Sequence, residues 1–228
     1  MKILIAGASG GLGRYLSQAL REQGHEVYGT FNTNTGLNSK ELPLEYVDIT
    51  NEQLVAQWID SKARESNELV LIDCVGINYN CSIHKSDTDR WMDVIRANLG
   101  GAYYLIKHIL PYMREKRFGR IILFSSVVPQ MGVPGTSAYS ASKSGLWGLA
   151  KTVAIENAKY GITINTVNLG YYDVGMIKDV PPDLLEKIKE KIPCGKLGDP
   201  INILNVINML LLSDYINGTQ IDANGGIY

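Results

Sequence analysis

The chain has 228 residues, of which 45% are hydrophobic and 20% are charged, as in ordinary globular proteins and unlike disordered ones. Its 22 basic and 23 acidic residues give a formal net charge of -1, which leaves no global positive field for holding nucleic acid or an anionic membrane. The three cysteines have no metal-ligand spacing, and the N-terminus has too few apolar residues for a signal peptide. We therefore expect a cytoplasmic protein without a metal site.

Short apolar runs alternate with longer segments of helical spacing along the chain. The predicted strands are residues 3–6, 26–31, 44–47, 69–75, 120–125, 163–169 and 220–223. The predicted helices are residues 11–23, 51–66, 87–113, 140–160, 183–191 and 201–212, with Asn51 as an N-cap and Pro200 in a first helical position. This alternation predicts an α/β fold, a doubly wound parallel sheet of about seven strands with helices on both faces, as a single domain over residues 1–228.

Glycines are concentrated directly after the first predicted strand, in the segment Gly7-Ala-Ser-Gly10-Gly11-Leu-Gly13. A strand, a glycine-rich turn and a helix in this order form the setting of a dinucleotide site, because the turn lets the backbone approach a pyrophosphate at the helix N-terminus. The alternative is a plain strand-to-helix turn. The position after an N-terminal apolar strand favours the dinucleotide site.

The connection after the second predicted strand, residues 32–43, is polar and barely long enough for a crossover helix, so we expect a loop or a single turn. This loop would flank the adenosine ribose of a dinucleotide. NAD sites usually have an acidic residue at this strand end, but Thr30, Phe31 and Asn32 stand there, and Lys40 is the nearest basic residue in sequence. The missing carboxylate favours NADP(H), with NAD(H) as the alternative.

A second pattern consists of Ser126, Tyr139 and Lys143, with Asn98 upstream. Tyr139 lies four residues before Lys143, so both share a helical face and the ammonium is expected to lower the pKa of Tyr139 from about 10. Ser126 follows the fifth strand at the carboxyl edge of the sheet, where it can bind a carbonyl oxygen. A Tyr-x-x-x-Lys pair alone usually marks an amphipathic helix face, but the ordered set predicts proton exchange with a carbonyl substrate.

Together these residues resemble the short-chain dehydrogenase/reductase family over essentially the whole chain. The motifs that carry the resemblance are Gly7-x-x-x-Gly11-x-Gly13, Asp48-Ile49-Thr50, Asp73-Cys-Val-Gly76, Asn98, Ser125-Ser126, Tyr139-x-x-x-Lys143, Asn165 to Gly170 and Asp222-Ala-Asn-Gly-Gly226. The resemblance implies an NAD(P)-dependent oxidoreductase with a catalytic tetrad. In it Tyr139 is the general acid in reduction, Ser126 orients the carbonyl, Lys143 binds the nicotinamide ribose and tunes Tyr139, and Asn98 supports a water in the proton relay.

The same resemblance implies a set of cofactor-binding residues that runs along the carboxyl edge of the sheet. They are Gly7, Ser9, Gly10, Gly11, Leu12, Gly13, Thr30, Asn32, Asp48, Ile49, Cys74, Val75, Gly76, Tyr139, Lys143, Gly170 and Tyr172. In this set Asp48 and Ile49 are expected against the adenine, and the segment 169–172 against the nicotinamide.

Within the family the chain is most similar to 3-oxoacyl-[acyl-carrier-protein] reductases, on the segments 118–122, 160–165, 192–200 and 217–226. This likeness implies reduction of a ketone to a secondary alcohol, in particular of a 3-oxoacyl thioester in fatty acid biosynthesis. It also implies a homotetramer or homodimer formed through the two long helices. Such reductases dock an acyl carrier protein through two basic positions, of which one is Arg117 here and the other is Tyr160.

Several positions depart from the family pattern. Gly10 stands where NADP-dependent relatives often have a basic residue, Asp73-Cys74-Val75 replaces Asn-Asn-Ala, Leu169 replaces a proline and Val174 replaces a threonine. The segment 174–195 is predicted to be a substrate lid, with a solvated amphipathic surface helix as the alternative. Two other functions stay open: a related enzyme acting on a sugar, polyol or secondary metabolite, and a non-catalytic dinucleotide-binding sensor.

Overall fold

A computed structural model describes residues 1–33 and 43–227 of the chain. Its strands, in chain order, are β1 Lys2–Ala6, β2 Glu26–Phe31, β3 Leu44–Tyr46, β4 Leu69–Asp73, β5 Gly119–Ser126, β6 Ile162–Leu169 and β7 Gln220–Ala223. Its α-helices are α1 Gly11–Glu22, α2 Glu52–Ala63, α3 Thr88–Ile95, α4 Gly101–Lys116, α5 Val128–Met131, α6 Ser137–Asn157, α7 Pro182–Lys191 and α8 Ile201–Leu212. Every predicted strand and helix is present, with ends that differ by a few residues. The predicted loop after β2, with Lys40, lies largely outside the described residues.

The described strands form one parallel sheet in the order β3-β2-β1-β4-β5-β6-β7. The chain moves outward from β1 to β3, then returns to the other side of β1 and continues outward to β7. The carboxyl ends of β1 and β4 therefore lie side by side, with Ala6 paired to Asp73. A doubly wound sheet binds its ligand at this switch point. The predicted α/β fold of the Rossmann type is confirmed.

Both faces of the sheet are covered by helices, which explains the continuous apolar character of the strands. In β4 the side chains of Leu69 and Leu71 pack into the cluster on one face, which also contains residues of α2, α4 and α6. Val70 and Ile72 of the same strand pack into the opposite cluster, which contains residues of α1 and α8. Because neither face of the sheet meets water, its strands lack the alternation of polar and apolar residues that marks a half-exposed strand.

The predicted helix over residues 87–113 is divided in the structure. Helix α3 is followed by a π-helical turn at Arg96–Gly100, and α4 then runs through Pro111 to Lys116. Asn98 lies in the π-helical turn and is fully buried. Interruptions of this kind are frequent at functional sites, so the π-helical turn marks Asn98 as a candidate functional residue.

Two predictions concerned helix starts. Asn51 is the N-cap of α2, since its side chain accepts hydrogen bonds from the N–H groups of Gln53 and Leu54. The placement of Pro200 in a first helical position was wrong by one residue. Helix α8 begins at Ile201, whose N–H donates to the Asp199 carboxylate 2.9 Å away, and Pro200 is the residue before the helix.

In the part of the chain that the structure describes, no helix has the length and apolar character needed to cross a membrane.

Candidate active site

The glycine-rich turn joins β1 to α1 at the switch point of the sheet. Gly7 has a φ of 74°, a conformation that favours glycine, and its carbonyl accepts a hydrogen bond from the Gly10 N–H at 3.1 Å. The Gly7 N–H donates to the hydroxyl of Thr30 on β2, also at 3.1 Å. Gly13 packs so closely on this turn that a Cβ there would overlap the Gly7 carbonyl oxygen. The turn is thus built without room for side chains at its inner positions.

The N-terminus of α1 fits the pyrophosphate of a dinucleotide. Its N-cap residue is Gly10, and no side chain caps the first N–H groups of the helix. Such free N–H groups and the helix dipole favour an anion. The segment after β6 lies against this end, since a Cβ on Gly11 would be 2.5 Å from the Gly175 Cα and 3.1 Å from a methyl carbon of Val174. The segment around Val174 and Gly175 therefore packs directly against the start of α1.

The residues expected at the adenosine end have distinct surroundings. The Asp48 carboxylate accepts hydrogen bonds from the N–H and the hydroxyl of Thr50, at 2.9 and 2.8 Å, and so stabilises the turn after β3. The Ile49 side chain is buried and packs against Gly101 at the start of α4. Asn32 is exposed at the end of β2. Within the described residues, no carboxylate stands at that strand end, in positions 30–33.

Helix α6 brings Tyr139 and Lys143 to the same edge. The Lys143 Nζ is 6.0 Å from the centre of the Tyr139 ring, as the shared helical face predicts. Lys143 is buried, and its Nζ donates to the carbonyls of Val75 at 2.9 Å and Phe124 at 2.8 Å. Two of the three ammonium N–H groups are thus used by main-chain carbonyls, and among the described residues the third is left for a ligand.

Ser126 ends β5 beside these residues. Its Oγ accepts a hydrogen bond from the Val128 N–H at 3.1 Å and is also a hydrogen-bond partner of the Tyr139 phenol. The backbone bond orients the Ser126 hydroxyl from one side, so that its own proton can be directed at an oxygen near Tyr139. Ser126, Tyr139 and Lys143 are therefore brought together as the sequence predicted.

The expected direction of the Tyr139 pKa was wrong. Burial raises this pKa above its usual value, the nearby Tyr171 raises it further, and the hydrogen bond with Ser126 opposes the rise. The physical reason is burial: the Lys143 ammonium is held by two main-chain carbonyls and does not offset the loss of water around the neutral phenol. Burial also lowers the pKa of Lys143. Tyr139 is consequently a neutral phenol that retains its proton.

Asn98 holds the loop that follows β4. Its side-chain oxygen accepts from the Ile77 N–H at 2.9 Å, and its amide nitrogen donates to the Ile77 carbonyl at 2.9 Å and to the Ser142 hydroxyl at 3.0 Å. Both N–H groups of the amide are therefore used within the protein. Asn98 connects the π-helical turn, the loop and α6, and any contact that it makes to a water in a proton relay has to use a remaining oxygen lone pair or its main chain.

The segment after β6 approaches the site through its main chain. The Gly170 N–H donates to the Ala223 carbonyl at 3.0 Å, and a Cβ on Gly170 would lie 2.7 Å from the Asn224 Cα. The Tyr172 ring is buried, and its hydroxyl donates to the Ala223 carbonyl at 2.9 Å. The side chain of Tyr172 is thus occupied in the core, and a contact to the nicotinamide is open only to its main chain.

The segment predicted as a lid carries a short 3-10 helix at Gly175–Asp179 and the helix α7. None of the α7 side chains that the structure describes is buried, and Leu185 and Lys189 line a cavity of about 1160 Å³ together with Tyr171 and Tyr172. Helix α7 therefore packs on the rest of the chain through partly buried residues such as Ile188, and it borders the cavity on one side.

Two residues act on the catalytic groups in ways that the sequence did not predict, although Tyr171 lies in the segment 169–172 expected against the nicotinamide. Tyr171 is close enough to Tyr139 to affect its pKa. Asp73 is buried at the end of β4, and its charge acts on Lys143. The departure of Asp73 from the family pattern was the available signal, but only the folded chain shows what surrounds it.

Comparison with known proteins agrees with this architecture. A family model described as Enoyl-(Acyl carrier protein) reductase matches residues 7–228. The chain is 33% identical to the 3-oxoacyl-[acyl-carrier-protein] reductase FabG of Vibrio harveyi and to that of Escherichia coli K12, in each case covering 99% of this chain and 96% of the relative. It is also 33% identical to an acetoacetyl-CoA reductase of Rhizobium meliloti, over 99% of this chain and 97% of that protein. The chain belongs to the short-chain dehydrogenase/reductase family and is an NAD(P)-dependent oxidoreductase.

Proposed function

We propose that this enzyme uses NADPH to reduce the ketone of a 3-oxoacyl thioester to a secondary alcohol, in the cytoplasm. The observation that carries the proposal is the convergence of Ser126, Tyr139 and Lys143 beside an uncapped helix N-terminus. The relatives named as 3-oxoacyl-[acyl-carrier-protein] and acetoacetyl-CoA reductases support the thioester as substrate class.

In this proposal each residue has a defined task. The bound nicotinamide supplies the hydride. The Ser126 hydroxyl donates a hydrogen bond to the substrate carbonyl oxygen, and Tyr139 donates its phenol proton to the same oxygen as negative charge develops there. Lys143 uses its free N–H for the cofactor ribose and provides a positive charge near the phenolate that Tyr139 becomes.

The raised pKa of Tyr139 suits the direction of ketone reduction. A general acid must hold its proton at the start of the reaction, and burial keeps the Tyr139 phenol neutral. The reverse reaction needs the phenolate, so alcohol oxidation is favoured only as the pH rises. The segment 174–195 acts as the cover of this site, with α7 closing over the substrate.

NADPH is proposed over NADH because positions 30–33 offer no carboxylate to repel a 2′-phosphate. Gly10 is the position from which a basic side chain would reach that phosphate. Its φ of -71° is open to any residue, and the nearest atom to an added Cβ is the Gly7 oxygen at 3.4 Å. The Gly10→Arg variant is expected to lower the KM for NADPH about tenfold, as one charge-assisted hydrogen bond would.

The same variant should leave the KM for NADH within about twofold, and Gly10→Ala serves as the matched control without the charge. Initial rates with both cofactors give the KM values of the wild type and of the two variants. A wild-type enzyme that uses NADH more efficiently than NADPH would contradict the proposed preference.

An acyl carrier protein is proposed as the carrier of the substrate, on the basis of a basic cluster at the end of α4. Arg114 stacks on the Tyr160 ring at 4.2 Å and donates to its hydroxyl at 2.7 Å, and the Lys159 ammonium is 5.3 Å from the same ring. Arg117 donates to the Lys159 carbonyl at 2.8 Å. Tyr160 thus stands at the centre of three cations, which together offer an acidic partner the charge expected from two basic docking residues.

A homotetramer or homodimer is proposed from apolar side chains left in water on the two long helices. Ile155 on α6 is 80% exposed and Tyr103 on α4 is 47% exposed. Apolar side chains exposed on both of these helices support contact with a second copy of the chain.

The test of the function is the rate of NADPH oxidation with acetoacetyl-CoA and with the acetoacetyl thioester of acyl carrier protein. We expect a kcat on the order of 1 per second or higher with both, and a lower KM for the carrier-bound substrate. Cofactor binding without turnover on either thioester would contradict the substrate class and favour a sugar, polyol or secondary metabolite. Cofactor binding without turnover on any carbonyl panel would favour a sensor.

A further inference from the structure

Asp73 is the last residue of β4 and is 2% exposed. Its neighbours on the adjacent strands are Ala6 of β1 and Leu123 of β5, neither of which carries a charge. A carboxylate in such surroundings loses its hydration and is costly unless other groups compensate for the loss. Burial accordingly raises the pKa of Asp73 to about 6, so that it is ionised in neutral solution despite the cost.

One residue connects Asp73 to Lys143. The Val75 N–H donates to the Asp73 Oδ1 at 3.0 Å, and the Val75 carbonyl accepts from the Lys143 Nζ at 2.9 Å. The peptide groups of a single residue therefore contact a buried carboxylate on one side and a buried ammonium on the other. The charges of Asp73 and Lys143 act on each other across this residue, each favouring the ionised form of its partner.

The other groups around the pair do not replace this charge. Cys74 follows Asp73 in the chain, and burial and the Asp73 charge raise the pKa of its thiol, which is therefore neutral. From α6, Tyr139 faces Lys143 as a neutral phenol, and from β5 the Phe124 carbonyl contributes a dipole without a net charge. Asp73 and Cys74 both act to raise the Lys143 pKa, and Asp73, which has the larger effect, is the one of the two that is charged in neutral solution.

The hydrogen bond that holds the Val75 peptide does not require a carboxylate at position 73. The side-chain oxygen of an asparagine would accept the same hydrogen bond from the Val75 N–H, and an amide is cheaper to bury than an ion. What the carboxylate adds is negative charge. Because burial removes stabilising water from Lys143 as well, that charge adds to the support that the ammonium receives from the two carbonyls of Val75 and Phe124.

We propose that Asp73 is a positioning residue whose buried negative charge, placed behind Val75, keeps Lys143 an ammonium and thereby sets the alkaline limit of ketone reduction. This inference rests on the proposed function of Lys143. It assigns to Asp73 a role in the reaction without contact to substrate or cofactor.

The test is the pH profile of kcat/KM for acetoacetyl-CoA reduction in the wild type and in Asp73→Asn, which retains the shape and the acceptor oxygen. Loss of the charge should let Lys143 lose its proton earlier, so the alkaline fall begins about one pH unit lower. The wild-type to variant ratio should then be close to one near about pH 6 and rise to about tenfold in alkaline solution. Rates are compared after circular dichroism shows that the variant is folded.

Two further variants separate charge from structure. Asp60→Asn removes a carboxylate on α2 that binds Arg64 at the surface, and it should leave the profile unchanged. Asp73→Ala removes both the charge and the acceptor for Val75, and it should lower the rate at every pH. An Asp73→Asn profile that superimposes on that of the wild type, or one that is lowered equally at all pH values, would overturn the proposal.

The result also distinguishes this inference from the proposed function. If the wild type fails to reduce any thioester, the function fails, and the inference is then judged by NADPH binding measured against pH by fluorescence. Affinity that declines at lower pH in Asp73→Asn than in the wild type would support the charge role of Asp73. Identical binding profiles would reject it.

Discussion

The Tyr139→Phe variant is expected to lower kcat for ketone reduction by about a thousandfold, the contribution typical of a positioned general acid. The change removes the phenol oxygen, which is the hydrogen-bond partner of Ser126 and the proposed proton donor, and it keeps the ring in its buried place. The fold and the affinity for NADPH should therefore be retained. Single-turnover measurements at saturating NADPH would report the chemical step directly.

Tyr171→Phe is the matched control for this variant. Tyr171 is a second phenol near Tyr139, and burial raises its pKa as well, so it is the other group able to donate a proton. Its removal is expected to change kcat by only a few-fold, through packing. A large loss in Tyr171→Phe together with a small loss in Tyr139→Phe would move the role of general acid to Tyr171.

Gly13→Ala is expected to abolish measurable NADPH binding and to lower the free energy of unfolding by about 2 kcal/mol, as overpacking of a tight site does. A Cβ at this position would overlap the Gly7 carbonyl oxygen and lie 2.9 Å from the Ala8 Cα, both of which are backbone atoms. The turn can accept the methyl group only by opening, which moves the N–H groups at the start of α1 away from the pyrophosphate.

Gly10→Ala tests whether this effect is specific to the position. The two glycines belong to the same turn, but a Cβ on Gly10 would meet only the Gly7 oxygen at 3.4 Å, an ordinary contact. We expect Gly10→Ala to bind NADPH within a few-fold of the wild type. Fluorescence titration with NADPH and thermal unfolding of both variants measure the difference. Equal NADPH affinity in both variants would show that the close packing of Gly13 is irrelevant to the cofactor.

The sheet could be predicted from sequence because its strands are buried on both faces, which leaves uninterrupted apolar runs such as that of β4. The proximity of Tyr139 and Lys143 could be predicted as well, since a spacing of four residues places them on one helical face regardless of the rest of the fold. Both features can be recognised from a short stretch of sequence, the first from an apolar run and the second from a four-residue spacing.

Features that depend on the surroundings could not be predicted in this way. The Tyr139 pKa is raised because of burial and because Lys143 is directed at two carbonyls, and neither fact is local to α6. The division of the helix at Arg96–Gly100 leaves the apolar pattern nearly continuous, so the pattern predicted one helix. Tyr172 is predicted from the family resemblance to bind the cofactor, whereas its ring is buried and its hydroxyl donates to the Ala223 carbonyl.

The residue at the end of α4 affects both the stability of the fold and the proposed recognition of a partner protein. Arg117 is the described non-glycine residue with a left-handed backbone, with φ of 54°, at a helix end where glycine is preferred. Glycine there would relieve strain of about 1 kcal/mol. It would also remove a cation from the surface proposed to meet the carrier protein. An Arg117→Gly change would thus exchange partner recognition for stability, if this surface meets the carrier protein as proposed.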